Sequence, residues 1–111
     1  MTYHEHGDLG LLAQLARLDH AGFAGFRALD ETVGRSDGKI PRKYRELIAL
    51  GVALTTQCPY CLDVHTANAK KAGATREELA ETVFVAAALR AGAAATHGAL
   101  ALKLFDAAAS P

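Results

Sequence analysis

The sequence predicts an all-helical single domain that associates with copies of itself, and three observations carry that expectation. About a fifth of the 111 residues are Ala, the strongest helix former and a weak strand former. Aromatic residues make up only 6% and Trp is absent, so a core of this composition is short of volume and buries little area per residue. Residues 84–89 and 99–102 are apolar on every side of a helix, and a chain of this size can bury such surfaces only against a second subunit. A length of 111 residues supports one hydrophobic core, which makes residues 1–111 a single domain.

Asp8 can accept the unpaired N–H groups of a first helical turn, and Leu11, Leu12, Leu15, Leu18, Phe23 and Phe26 follow at near-helical spacing. A first helix is therefore expected from Asp8, with a bend at Gly22 or Gly25. Residues 34–40 are polar and Gly-rich and form a linker, after which Pro41 suits a first helical position because its missing N–H costs nothing there. The second helix runs to about Gln57 and buries Tyr44, Leu47, Ile48, Val52 and Leu54. The residue before a proline is pushed out of the helical region, so Cys58 stands at an N-cap and Pro59 opens the third helix. That helix reaches about Ala72, with Gly73 as a left-handed cap. Thr75 and Glu78 have the spacing of a capping box and start a fourth helix ending near Gly92, and a fifth spans about residues 93–108. The five helices amount to a small bundle.

Twelve basic and twelve acidic residues give a net charge of +0, which removes the electrostatic footprint of a nucleic-acid binder. No membrane span is expected, because Arg90, His97 and Lys103 interrupt the most apolar part of the chain well short of ~18 uncharged residues. Residues 1–8 lack the apolar run of a secretory signal. The expected location is the cytoplasm, where thiols are kept reduced, so two Cys three positions apart point to redox or metal chemistry and not to a structural staple.

The residues that carry chemistry are Glu46, Cys58, Cys61 and His65. With Pro59 opening a helix, Cys58 and Cys61 lie on one face at i, i+3, and His65 lies one turn beyond Cys61. The partial positive charge of the helix N-terminus stabilises a thiolate, and an adjacent imidazole supplies a base or a cation. Glu46 falls within an apolar stretch of the preceding helix, where a carboxylate is costly to bury unpaired, and His65 is its candidate partner.

Glu46, eleven residues, Cys58-Pro59-Tyr60-Cys61, three residues, His65 and then Ala-Lys-Lys-Ala-Gly-Ala-Thr-Arg-Glu-Glu-Leu (residues 69–79) together resemble the carboxymuconolactone decarboxylase superfamily in its alkylhydroperoxidase-D-like branch. The likeness covers about residues 40–105. It implies an all-helical fold assembled as homo-oligomers, trimers or hexamers, with an active site near a subunit interface. It also implies a thiol-dependent peroxidase or disulfide reductase of antioxidant, peroxiredoxin-like activity that needs no metal and no organic cofactor. The substrate would be a small-molecule hydroperoxide or disulfide, and an external dithiol would be the reductant. By the same resemblance Cys61 is the peroxide-attacking thiol, Cys58 the resolving thiol that closes the disulfide, and Glu46 and His65 the proton relay. The cap position and helix dipole instead favour Cys58 as the thiol of lower pKa, so which Cys attacks is open at the level of sequence. Two features depart from the branch: Tyr60 stands where alkylhydroperoxidase D has a His, and the chain holds one helical unit instead of two.

Two other readings use the same residues. One is a carboxymuconolactone-type decarboxylase acting on a small lactone acid, a reaction with no use for a dithiol. The other is a non-catalytic helical module in which Cys58, Cys61, His65 and Glu46 hold zinc, although three ligands within one and a half helical turns close a tetrahedron poorly. His4-Glu5-His6 is expected to be a disordered terminal segment, His97 a hydrogen-bonded core or interface residue, and Lys39, Arg42, Lys43 and Arg45 a solvated face.

Overall fold

The computed structural model describes residues 3–110. A 3-10 helix at His6–Leu11 leads into α1 (Leu12–Leu18), α2 (His20–Val33), α3 (Arg42–Thr56), α4 (Pro59–Lys71) and α5 (Arg76–Ala107), and the described residues contain no strand. The all-helical, five-helix expectation holds, although two boundaries differ.

The first predicted helix is divided at Asp19, not bent at Gly22 or Gly25. Asp19 leaves helical geometry (φ −141°, ψ 85°) and its carboxylate accepts the Gly22 N–H at 3.0 Å, capping α2. A Cβ on Gly22 would lie 2.5 Å from that carboxylate, so Gly22 makes room for the cap. Asp8 is not the cap of an α-helix. It sits at the third position of the 3-10 helix, where its carboxylate takes the Glu5 N–H at 2.8 Å and the Glu5 side chain reciprocates. The second correction is at Gly92, where two predicted helices are one. Glycine inside a helix costs only about 1 kcal/mol relative to Ala, and the Ala-rich flanks continue the helix through it for 32 residues.

As a single helix, α5 is long and apolar enough by length and composition to cross a membrane, contrary to the expectation that no segment would be. That expectation rested on Arg90, His97 and Lys103, and all three lie within α5. Arg90 lies within α5, and its guanidinium donates to the Thr55 carbonyl at the end of α3.

The centre of the fold is α3, which packs on α4 on one side and α5 on the other. The chain turns from α3 into α4 through Gln57, left-handed at φ 57°, and then through Cys58 in extended geometry (φ −104°) with Pro59 behind it. From α4 to α5 it passes Gly73 (φ 91°), where the Ala74 N–H reaches the Ala69 carbonyl at 3.0 Å. The Thr75–Glu78 capping box then closes as expected, at 3.1 and 2.9 Å. Among the described residues the buried apolar ones are Leu50, Ala53, Ala69 and Ala86, and Leu50 is the only large side chain fully enclosed. The cationic stretch before α3 is partly engaged and not simply a solvated face. Arg45 donates to the Val33 and Ile40 carbonyls at 2.7 and 3.1 Å, tying the linker down, and Lys43 pairs with Glu78 at 2.9 Å.

The protomer is open. Its radius of gyration is 18.8 Å, whereas a compact chain of this length has about 13 Å. Two parts project from the α3–α4–α5 core. The second half of α5 is exposed, including Leu100, Leu102, Leu104 and Phe105. The α1–α2 hairpin reaches the core through the 3-10 helix resting on α4 and through the Arg45 hydrogen bond to the end of α2.

Candidate active site

The α3–α4 junction builds the site from local rules. Pro59 starts α4, and Cys58 at its N-cap turns its sulfur over the first turn, where it accepts the Cys61 N–H at 3.2 Å. The i, i+3 spacing brings the two Cα atoms to 5.3 Å and the sulfurs into a Cys58–Cys61 disulfide. The structure is therefore the oxidised form of the pair. One turn further along α4, His65 Nδ1 lies 2.6 Å from Oε2 of Glu46, which projects from α3 and is buried. A carboxylate can only accept, so Nδ1 carries the hydrogen and Nε2 is left available for proton transfer. All four residues singled out in the sequence meet at this junction, and Glu46 pairs with His65, its candidate partner.

A cavity of about 860 Å³ opens on one side of α4, between it and the α1–α2 hairpin. Cys61 and His65 line it, and Cys58 does not. Its walls come largely from a segment that sequence reasoning left without a role: Leu9, Leu12, Leu15 and Phe26 from the N-terminal arm, facing Val64 of α4. The signal available was the run of apolar residues at helical spacing in 11–26, a stripe for which the sequence offered no partner.

The N-terminal segment is not loose. Tyr60 donates its hydroxyl to Asp8 Oδ2 at 2.8 Å, and His6 Nδ1 lies 2.6 Å from Asp63 Oδ2, so residues 6 and 8 are fastened to the active-site helix across more than fifty positions of sequence. The His4 ring also meets the Tyr60 ring edge-on, 6.2 Å between centroids. The hydrogen bond from the Glu5 N–H, and then that from Tyr60, hold the Asp8 carboxyl below the usual range. Asp8 in turn raises the Tyr60 phenol, with desolvation adding to the effect. Tyr60 thus connects the active-site helix to the arm. His97 is exposed on α5 and is not a core residue. Among the described residues no three His, Cys, Asp or Glu side chains converge as a set of metal ligands.

The profile of the carboxymuconolactone decarboxylase family matches residues 21–104. The chain belongs to that family. Within it, the chain is 40% identical over 97 residues to an uncharacterized protein of the cox locus of Paracoccus denitrificans, a match covering 85% of this chain and 86% of that protein. It is 38% identical over 71 residues to an uncharacterized protein of Cupriavidus necator, 64% of this chain and 63% of the other. It is also 37% identical over 75 residues to an alkyl hydroperoxide reductase of Mycobacterium tuberculosis. That match takes in 68% of this chain but only 19% of the reductase.

Proposed function

We propose that this member of the carboxymuconolactone decarboxylase family is a thiol-dependent oxidoreductase, reducing organic hydroperoxides or disulfides through the Cys58–Cys61 couple. The observation that carries the reading is a dithiol/disulfide pair one helical turn from a Glu46–His65 hydrogen bond, with Cys61 and His65 facing a common cavity. The kinship with an alkyl hydroperoxide reductase supports it.

In the oxidative half-reaction the Cys61 thiolate attacks the terminal oxygen of the hydroperoxide and the O–O bond breaks. The alkoxide leaves with a proton from the His65–Glu46 pair, giving an alcohol and Cys61 sulfenic acid. Cys58 then attacks the Cys61 sulfur, water leaves and the disulfide closes. Two electrons have passed from the dithiol to the peroxide. An external dithiol restores the pair by thiolate exchange, becoming a disulfide itself. Cys61 is assigned the attack because it lines the cavity, and Cys58 resolves from the N-cap.

The protomer functions on this reading as part of a homo-oligomer. A groove of about 550 Å³ between α3 and α5, lined by Ile48, Val52, Val85 and Leu89 among others, adjoins exposed apolar side chains on α5, and a second copy would cover both. This use of the α5 surface suits a cytoplasmic protein.

The test is a titration of thiols after one equivalent of an organic hydroperoxide is added to the reduced protein. Wild type should lose both thiols and form one intramolecular disulfide. Cys58→Ser should stop at a sulfenic acid that dimedone captures on Cys61, and Cys61→Ser should not react. Full peroxidase activity in Cys61→Ser would refute the reading.

A further inference from the structure

The cavity beside Cys61 has walls of one character and charges of one sign. Leu9, Leu12, Leu15, Phe26 and Val64 make it apolar, and apart from His65 its charged side chains are all carboxylates: Glu5, Asp8 and Asp30. Among the described residues no Lys or Arg lines it. His65 does not offset them, because its own partner is Glu46. Asp8 is held in the ionised form by the Glu5 N–H and the Tyr60 hydroxyl, both at 2.8 Å. An anion entering this space approaches three like charges, the half-buried Asp8 and the exposed Glu5 and Asp30, beside apolar walls.

We propose that the cavity selects its oxidant by charge, accepting apolar hydroperoxides that are neutral or cationic and excluding those that carry a carboxylate. The inference rests on the peroxidase reading above and specifies its substrate class. The reaction is the one already balanced: the O–O bond breaks, the Cys58–Cys61 bond forms, and alcohol and water are released. A small lactone acid would meet the same three carboxylates, so the preference also separates this site from one built for an acidic lactone.

The experiment compares cumene hydroperoxide with its para-carboxylate and para-aminomethyl derivatives, which differ little in bulk and differ in charge. Oxidation of the reduced oligomer is followed at pH 8, where ordinary imidazoles are neutral, at low ionic strength. The carboxylate should give a kcat/KM about tenfold below that of the neutral compound, and the ammonium derivative should equal or exceed the neutral one. The gap should close as salt shortens the screening length to a few Å. Glu5 and Asp8 also cap the 3-10 helix, so Asp30→Asn is the informative variant, and it should narrow the neutral-to-carboxylate ratio. Equal rates for all three compounds, equal slowing of both charged derivatives, or a ratio indifferent to salt and to Asp30→Asn would overturn charge selection and leave the peroxidase reading standing. If none of the three oxidises the dithiol, the peroxidase reading itself is overturned.

Discussion

Replacing Glu46 with Gln should lower kcat and leave KM where it is. The side chain is buried and reaches His65 Nδ1 at 2.6 Å, and it does not line the cavity that holds Cys61, so it acts on substrate only through the imidazole. Glu46→Gln keeps the volume and an accepting oxygen and removes the charge. A hydrogen bond to a charged group contributes about 1.5–3 kcal/mol and a neutral one about 1 kcal/mol. Stabilisation of the imidazolium that forms or discharges during proton transfer therefore falls by about 1–2 kcal/mol, which corresponds to a factor of roughly ten in rate. Stopped-flow oxidation of the reduced protein over a range of hydroperoxide concentrations separates kcat from KM, and circular dichroism checks that the variant is folded. A Glu46→Gln protein that turns over at the wild-type kcat, or whose loss lies in KM, would refute the relay.

Leu50→Ala removes a large side chain that is fully enclosed and should cost about 3 kcal/mol. With an unfolding entropy of about 2.1 cal/mol/K per residue, that lowers Tm by about 13 °C in a calorimetric scan. Asp8 has a folded pKa below its unfolded one, so its contribution to holding the arm is complete above the usual aspartate range near 4 and is lost as pH falls through the folded value; amide exchange at residues 5–8 should rise there and nowhere else in the acid range. Tyr60 is shifted up by the same contact, and Asp8→Asn should bring its phenolate absorbance at 295 nm to lower pH, with Tyr60→Phe identifying which of the three tyrosines is responsible. Val85 is 59% exposed in the groove between α3 and α5, so Val85→Lys should leave the helices intact and shift the protein to a smaller species in size-exclusion chromatography with light scattering.

What was legible in the sequence was what neighbouring residues decide among themselves. The Thr75–Glu78 box, the left-handed Gly73 and the Cys58-Pro59 start of α4 each depend on a few adjacent positions and came out as expected. Glu46 and His65 were legible as a pair because a carboxylate in an apolar stretch needs a partner and the next helix offered an imidazole. Asp19 was missed because its side chain competes with the helix for its own backbone, and only the lack of a Cβ on Gly22 lets it win. Gly92 was over-read as a stop, since Ala on both sides outweighs one glycine. The arm lay beyond local reasoning. Tyr60 and Asp8 are 52 positions apart and His6 and Asp63 are 57 apart, so the pairing that makes a wall of the cavity from the N-terminal stripe appears only in the folded chain.

On the proposed mechanism the two thiols take complementary parts once both halves of the cycle are considered. The Cys61 N–H lies 3.2 Å from the Cys58 sulfur at the start of α4, where a thiolate would face the positive end of the helix. The cavity favours Cys61 as the thiol that substrates meet. A low pKa is an advantage to a leaving group as much as to a nucleophile. When an external thiolate enters the cavity it can reach Cys61, and the bond that then breaks releases Cys58 as a thiolate already facing the first amides of α4. The same stabilised thiolate is the species that attacks Cys61 sulfenic acid in the opposite direction. On the proposed mechanism the helix N-terminus acts on the resolving thiol in both half-reactions, and the attacking thiol draws its activation from His65 and Glu46. Placing one Cys at the cap and the other a turn away gives each a separate source of activation.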